Sequence, residues 1–364
     1  MARSITFVKR SLISLLLCYG IIVLFATLYP FSFNPKNNCI PLKESGIRFS
    51  SPAIMYTDSC PDVFLKMHQF TILFRFSAES ESTSAAQTII TNSINSYDQN
   101  FCIQQLGKTL VFRVFNKMRP EPNAIYIMNV VKSKKTMWCS IVYDGDVLRC
   151  YIDGVKKNER KIGAIDFSMW DRTYPLVVGS EANGYHSWDG ILYSLLLYNK
   201  AIPAKDLRRP DRYINLATPA LFFNFDPTDA GFIRSRGSDS MTTLYIPENF
   251  VPPQRTVLIE STSALWKRRL YLRDIIGNII MFLPLGFLAS MLMLTMISNR
   301  RKNTILVCAI GLMFSTIIEL LQVYQPGRFS SISDVLSNTM GAFFGTLIFF
   351  FLLKTLKTES GITQ

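Results

Sequence analysis

ILVCAIGLMFSTIIELLQVYQPGRFSSISDVLSNTMGAFFGTLIFFFLL, residues 305–353, is two apolar runs around a short polar loop. Each run, 305–323 and 336–353, is close to the length a helix needs to cross a bilayer's hydrocarbon core. The polar residues cluster at the loop ends of these runs: Glu319 with Gln322, then Arg328, then Asp334 with Asn338. Spacings of three and four put each pair on one helical face. Carboxylates, amides and a guanidinium close to lipid are costly, so the hairpin reads as a site as well as an anchor.

Two more apolar runs lie upstream. Arg3, Lys9 and Arg10 precede 11–28, which is too long for a signal peptide's core and has no small-x-small cleavage site after it. It reads as an uncleaved anchor ending at Tyr29-Pro30-Phe31. The run 275–297 carries Asn278 near its start and Pro284 at its centre, where a proline is expected to kink a helix. Four spans result. Arg3, Lys9 and Arg10, then Arg300, Arg301 and Lys302, then Lys354 and Lys357 fall on one side, which the positive-inside rule makes the cytoplasm. Both termini are then cytoplasmic, the protein is multi-pass in the plasma (inner) membrane, and everything between the first two spans is extracytoplasmic. Asn278, Glu319, Gln322, Arg328, Asp334 and Asn338 come out near the outer leaflet. Lys267, Arg268, Arg269 and Arg273 also fall outside, where they read as contacts to lipid headgroups.

The chain is 49% hydrophobic with a formal charge of +13, which excludes disordered, collagen-like and coiled-coil classes. In a membrane chain such a charge reflects basic loops, so nucleic acid is not an expected partner. Between the first two spans the composition is that of a soluble domain. Short β-branched and aromatic runs alternate at 70–76, 88–91, 101–105, 109–115, 137–143, 147–153, 176–179, 190–198, 221–225 and 243–246. Asp144-Gly145-Asp146 is a hairpin signal, and many short strands with turn residues between them predict a β-sandwich. The fold class is therefore an α+β membrane protein: a four-helix transmembrane bundle plus an extracytoplasmic all-β jelly-roll sandwich. The domains are 1–33 (first span), 34–250 (sandwich), 251–274 (linker and basic segment), 275–353 (spans two to four) and 354–364 (tail).

Of seven cysteines, Cys18 and Cys308 lie in apolar runs. The others form no C-x-x-C, so no metal site is expected. Outside the cytoplasm some should pair, and Cys39 with Cys60 is the favoured disulfide. Tyr185, Trp188 and Asp189 are the candidate glycan-binding residues, since aromatic faces stack on sugars, although an aromatic in a sandwich is more often core. His68 and His186 are isolated and read as satisfied or exposed.

Two resemblances follow. Trp138, Tyr143-Asp144-Gly145, Leu148 through Gly154, Leu176 through Gly179, and Trp188-Asp189-Gly190-Ile191 leading to Ile202 resemble the concanavalin A-like, laminin-G-type (LamG) jelly roll over residues 45–205. That likeness implies a glycan or protein ligand and sometimes calcium; Asp171, Glu181 and Asp189 are too scattered to make a calcium cluster. Tyr29-Pro30, Asn278-x-x-x-Phe282-x-Pro284-Leu285-Gly286-Phe287, Glu319-x-x-Gln322, Pro326-Gly327-Arg328 and Asp334-x-x-x-Asn338-x-x-Gly341 resemble the VanZ-like family over 11–33 and 270–353. The family is named after a protein linked to resistance to the lipoglycopeptide teicoplanin, so glycopeptide resistance is the phenotype it suggests. The resemblance supplies no activity.

The reading that results is a non-enzymatic envelope protein. The sandwich binds glycan or a surface polymer, and the polar helix ends bind a lipid or lipid-linked molecule. An enzyme on a lipid-linked substrate, with Glu319 and Asp334 as acid and base and Arg328 on phosphate, is the alternative. No nucleophile or metal cluster accompanies them. A protein-binding or spacer sandwich on an anchor is the third reading. No cofactor is required beyond calcium in the sandwich as an open question. Membrane lipids are expected partners, and a homo-oligomer is left open.

Overall fold

The computed structural model describes residues 2–83, 85–95, 98–115, 123–208, 213, 217–226, 231–254, 257–258, 269–326, 328 and 330–359. The chain divides into two compact units, Met1–Phe33 with Thr256–Gln364, and Asn34–Arg255.

The first unit is four helices: α1 (Ala2–Leu28), α2 (Arg269–Leu294), α3 (Arg300–Gln322) and α4 (Ile332–Glu359). All four are long and apolar enough to cross a membrane. The second ends earlier than its apolar run. Asn299 caps α3 by accepting the Lys302 N–H at 3.1 Å, and that cap needs a non-helical connection before it. Pro284 lies inside a continuous α2 and withholds the N–H that the carbonyl one turn back would otherwise receive.

Helices α2 and α4 meet along small residues. A Cβ on Gly345 would run into the Leu283 carbonyl, one on Gly341 into the Ile279 carbonyl, and one on Gly286 into the Ala342 carbonyl. Gly341 and Gly345 are the close-packing pair their spacing suggests, and association in lipid depends on such contact because no hydrophobic effect drives it. Val23 and Leu28 of α1 pack on Phe282, Leu285 and Ile318, and the Tyr19 hydroxyl donates to the Met281 carbonyl at 2.9 Å.

The second unit is a sandwich of two eight-stranded antiparallel sheets. One runs in the order β1 (Cys39–Pro41), β2 (Ile47–Phe49), β13 (Gly190–Tyr198), β4 (Phe70–Ala78), β9 (Met137–Tyr143), β10 (Val147–Ile152) and β11 (Val155–Lys161), with β14 (Leu221–Asn224) also on β13. The other runs β15 (Phe232–Arg234), β16 (Thr243–Tyr245), β3 (Met55–Tyr56), β12 (Leu176–Val178), β5 (Gln87–Ser93), β6 (Gln99–Leu106), β7 (Thr109–Val114) and β8 (Asn123–Ile127). Alternation gives each central strand one core face. Phe70, Ile72, Phe74 and Phe76 of β4 join Met137, Cys139, Ile141 and Tyr143 of β9 against Phe101, Ile103, Leu110 and Phe112 of the opposite sheet. The outer face of β4 is also covered. Leu73 packs with Val142, Tyr151, Leu196, Tyr198, Ile202 and Leu207, so β4 reads as a nearly continuous apolar run. The β9–β10 turn is the predicted hairpin: Gly145 takes φ +104°, and the Asp144 carboxylate accepts the N–H groups of Asp146 and Val147.

The expected Cys39–Cys60 disulfide is not formed. Both thiols are free, Cys39 facing the Ile54 carbonyl at 3.5 Å and Cys60 facing Asn92 Oδ1 at 3.4 Å. Cys102, Cys139 and Cys150 are free and buried as well. Burial pushes the Cys60 and Cys102 thiols up to about 12 and raises those of Cys139 and Cys150. The thiolate is the reactive form, so these sulfurs behave as small hydrophobes. Alkylation of the folded full-length chain, read by peptide mass spectrometry, should leave Cys60, Cys102, Cys139 and Cys150 unmodified, and denaturant should expose all four. Rapid native labelling of these positions would mean the sandwich core is not closed.

Candidate functional site

Successive membrane helices run in opposite directions, so the start of α2, the end of α3 and the start of α4 share one end of the bundle. Asn278, Glu319 and Asp334 are brought together there. Asn278 Nδ2 donates to Asp334 Oδ1 at 2.9 Å, joining α2 to α4. Glu319, only 2% exposed, accepts the Ser331 N–H on Oε2 at 2.9 Å. Ser331 caps α4: its hydroxyl accepts the Ser333 N–H, and its carbonyl accepts the Asp334 N–H. Asp334 thus stands in the first turn of α4, where the helix dipole favours an anion. One turn deeper, Asn338 Nδ2 donates to Ser315 Oγ at 2.8 Å.

Two predicted members stand apart. Gln322 donates to the Thr27 carbonyl at 3.2 Å, and Gln325 donates to the Leu28 carbonyl. These carbonyls are the last of α1 and have no partner within their own helix, so both glutamines act as side-chain caps. Arg328 is exposed and forms no ion pair with Glu319 or Asp334 among the described residues. Lys267 and Arg268 lie outside the described residues; Arg269 opens α2, and Arg273 is exposed near its start. Ser315 and Ser331 were not among the candidates. Their signals are the i, i+4 step from Ser315 to Glu319 and the Ser-x-x-Asp capping pattern at 331–334.

A second polar layer crosses the bundle closer to the other helix ends. Ser290 donates to Thr346 Oγ1 at 2.8 Å, and Asn303 donates to the Ser290 carbonyl at 3.1 Å. All three side chains are buried, and they join α2 to α3 and α4.

In the sandwich one candidate glycan residue, Trp188, is corrected. Trp188 is fully buried, packs against Phe49 and Phe76, and donates its Nε1–H to Gln105 Oε1 at 2.9 Å. It has no face for a sugar. Asp189 accepts the Ser51 N–H at 2.8 Å and faces Gln87 Nε2 at 3.5 Å, a structural tie across the sheet edge. Tyr185 is half-buried beside His186. Asp171, Glu181 and Asp189 are each held in separate hydrogen bonds and do not form a common ligand shell for calcium. Among the described residues no group of three or more His, Cys, Asp or Glu could hold a metal ion.

His186 is not isolated. Its Nδ1 lies 3.0 Å from the Glu181 carboxylate, which also faces Gln104 Nε2 at 3.5 Å; Gln104 in turn accepts from Arg113. The hydrogen bond to Glu181 raises the His186 pKa above 6.5. The folded state then holds this proton more tightly than the unfolded chain, so the pair's contribution is complete below the unfolded pKa and is lost as pH rises through the folded one. The sandwich's unfolding temperature should fall between about pH 6 and about pH 9 more in the wild type than in His186→Gln. Parallel profiles for the two proteins would remove the linkage.

Residues 56–208 match the family model of the concanavalin A-like lectin/glucanases superfamily. Residues 213–353 match the VanZ/LLP1 family model. The chain is thus similar to VanZ-type proteins over 213–353 and to concanavalin A-like domains over 56–208. The first span lies outside the residues matched to VanZ. No curated protein matches the chain. Among solved structures, a Bacteroides ovatus protein described as carbohydrate binding is similar at 12% identity and TM-score 0.42, over 57% of this chain and 58% of that one. The chain thus spans less than two thirds of that protein's length. The heptameric pentraxin of Limulus polyphemus is similar at 14% identity and TM-score 0.33, over 49% and 78% of the two chains. The CBM40 of Ruminococcus gnavus IT-sialidase is similar at 13% identity and TM-score 0.39, over 46% and 97%. Likeness at this level carries no ligand or activity to the VanZ-like chain.

Proposed function

We propose that this VanZ-like membrane protein serves the cell envelope, its sandwich binding a glycan or surface polymer and its polar helix ends binding a lipid or lipid-linked molecule. The observation that carries the lipid half is the meeting of Asn278, Glu319 and Asp334 at one end of the bundle, within helices apolar enough to cross a membrane. Ionisable groups at membrane depth are costly and are kept mostly where they bind or move something. The lectin-type family match supports the glycan half. The basic groups around Arg10, Arg300 and Lys354 support an outward sandwich with both termini in the cytoplasm.

Lipid mass spectrometry of the gently purified full-length protein tests the lipid half. A retained lipid or lipid-linked molecule, lost in Glu319→Gln and Asp334→Asn variants that still fold, is the expected result. Wild-type protein that retains nothing beyond bulk lipid would refute it. A glycan array probed with the protein in nanodiscs tests the other half, and binding to no glycan would leave the sandwich a protein-binding or spacer module.

A further inference from the structure

Among the described residues, the polar end of the bundle is short of hydrogen-bond donors. Glu319 accepts one backbone N–H, and Asp334 accepts one amide N–H. An ionised carboxylate offers about four acceptor positions. No lysine, arginine or histidine among the described residues forms an ion pair with either carboxylate. Asn338 is 2% exposed, gives its N–H to Ser315, and leaves Oδ1 without a partner. Side chains on a helix lean toward its N-terminus, which carries the Asn338 amide over the turn that holds Asp334. Ser315 and Glu319 are likewise one turn apart on α3. The amide with the unpartnered oxygen thus sits one helical turn from Asp334 on α4 and bonds the residue one turn from Glu319 on α3. Gln325, at the same end of the bundle, donates to the Leu28 carbonyl and also leaves its buried oxygen unpartnered.

Unused acceptors, and carboxylates with no ion pair among the described residues, set the chemistry of what fits. A phosphate brings only acceptors and negative charge. A primary ammonium brings three N–H donors and one positive charge in a compact group. Arg328 is exposed and three residues before Ser331, and a guanidinium is the group that suits a phosphate on the same molecule.

We propose that the polar end of the VanZ-like bundle takes the primary ammonium of an aminophospholipid-type headgroup, with Glu319, Asp334 and Asn338 as acceptors and Arg328 toward its phosphate. This rests on the reading that this end binds a lipid-linked molecule, and it specifies which chemical group enters.

The test uses full-length protein reconstituted in nanodiscs of equal parts phosphatidylethanolamine, phosphatidylcholine and phosphatidylglycerol, followed by mild extraction and quantitative lipid mass spectrometry. Phosphatidylcholine has the same phosphate but a quaternary amine with no N–H. Retention of phosphatidylethanolamine should exceed that of phosphatidylcholine by about tenfold, the scale of one lost charge-assisted hydrogen bond. Glu319→Gln and Asp334→Asn should erase this preference while helix content and elution volume stay unchanged. Arg328→Gln, at an exposed position, should lower retention of both lipids and keep their ratio. Equal retention of all three lipids by the wild type would overturn the ammonium assignment and leave lipid binding standing. Retention of none would remove both. A preference for phosphatidylethanolamine that survives both acidic-site variants would also overturn the assignment.

Discussion

Trp188→Ala should destabilise the sandwich by about 3–5 kcal/mol, the usual cost of deleting a buried tryptophan with partial relaxation around it. Trp188 has no exposed surface and packs between Phe49 and Phe76 at ring-centroid distances of 6.0 and 6.2 Å. Gly190 is shaped by the same ring: a Cβ there would strike the indole and the Ser77 carbonyl. The hydrogen bond adds a separate cost. Gln105 is fully buried, spends its amide N–H groups on the carbonyls of Ser80 and Gly107, and uses Oε1 for the indole. Trp188→Phe fills part of the space but strands that oxygen, at about 1–3 kcal/mol. Denaturant unfolding of the full-length protein followed by circular dichroism in the β region should therefore rank wild type above Trp188→Phe and Trp188→Ala last. An alanine variant that unfolds with the wild type would mean the indole is not a core element.

Gly345→Leu should break the α2–α4 contact. The atoms facing Gly345 are the Leu283 carbonyl oxygen and the Phe287 nitrogen, both backbone. Neither can move out of the way as the end of a flexible side chain does. Overpacking ordinarily costs about 1–3 kcal/mol, and a clash against two backbone atoms belongs at or above the top of that range. The Asn278–Asp334 hydrogen bond should be lost with it, because it joins the same two helices. Gly277→Ala is the control: nothing lies within 4 Å of a Cβ built there, so the change should be neutral or slightly favourable. Thermal unfolding and protease resistance in detergent, with the two variants side by side, check this. Equal behaviour of Gly345→Leu and Gly277→Ala would contradict the packing.

Much of this architecture was legible in the residues. The four spans follow from length and apolarity, and the strands at 137–143 and 190–198 coincide with the observed β9 and β13 because each has a strong alternating run bounded by turn residues. Strands such as β2, β3 and β15 were missed, being two or three residues long with no periodicity to read. β11, VKKNERK, was missed because its exposed edge carries charge in place of β-formers, as edge strands do when they avoid pairing with other chains. Trp188 was readable as core or as a sugar face, because position 188 stands before its strand, where alternation gives no face. In the bundle, Asn278, Glu319 and Asp334 were readable as ionisable or amide groups near span ends. The partner of Gln322 was not, since the α1 carbonyl it caps lies nearly the whole chain away. Cys39 and Cys60 looked like a pair by compartment alone, and packing assigns each a different neighbour.

The most direct test of the polar convergence is cross-linking between α2 and α4. It uses a chain with Cys18 and Cys308 replaced by alanine, cysteines at Asn278 and Asp334, and a protease site inserted between Leu294 and Arg300. With those two side chains in hydrogen-bond contact, mild oxidation should hold the two proteolytic fragments together on a denaturing gel until reductant is added. A cross-linking yield no higher than that of a matched chain with the first cysteine at Gly277 instead of Asn278 would contradict the convergence of Asn278 and Asp334 on which the site rests.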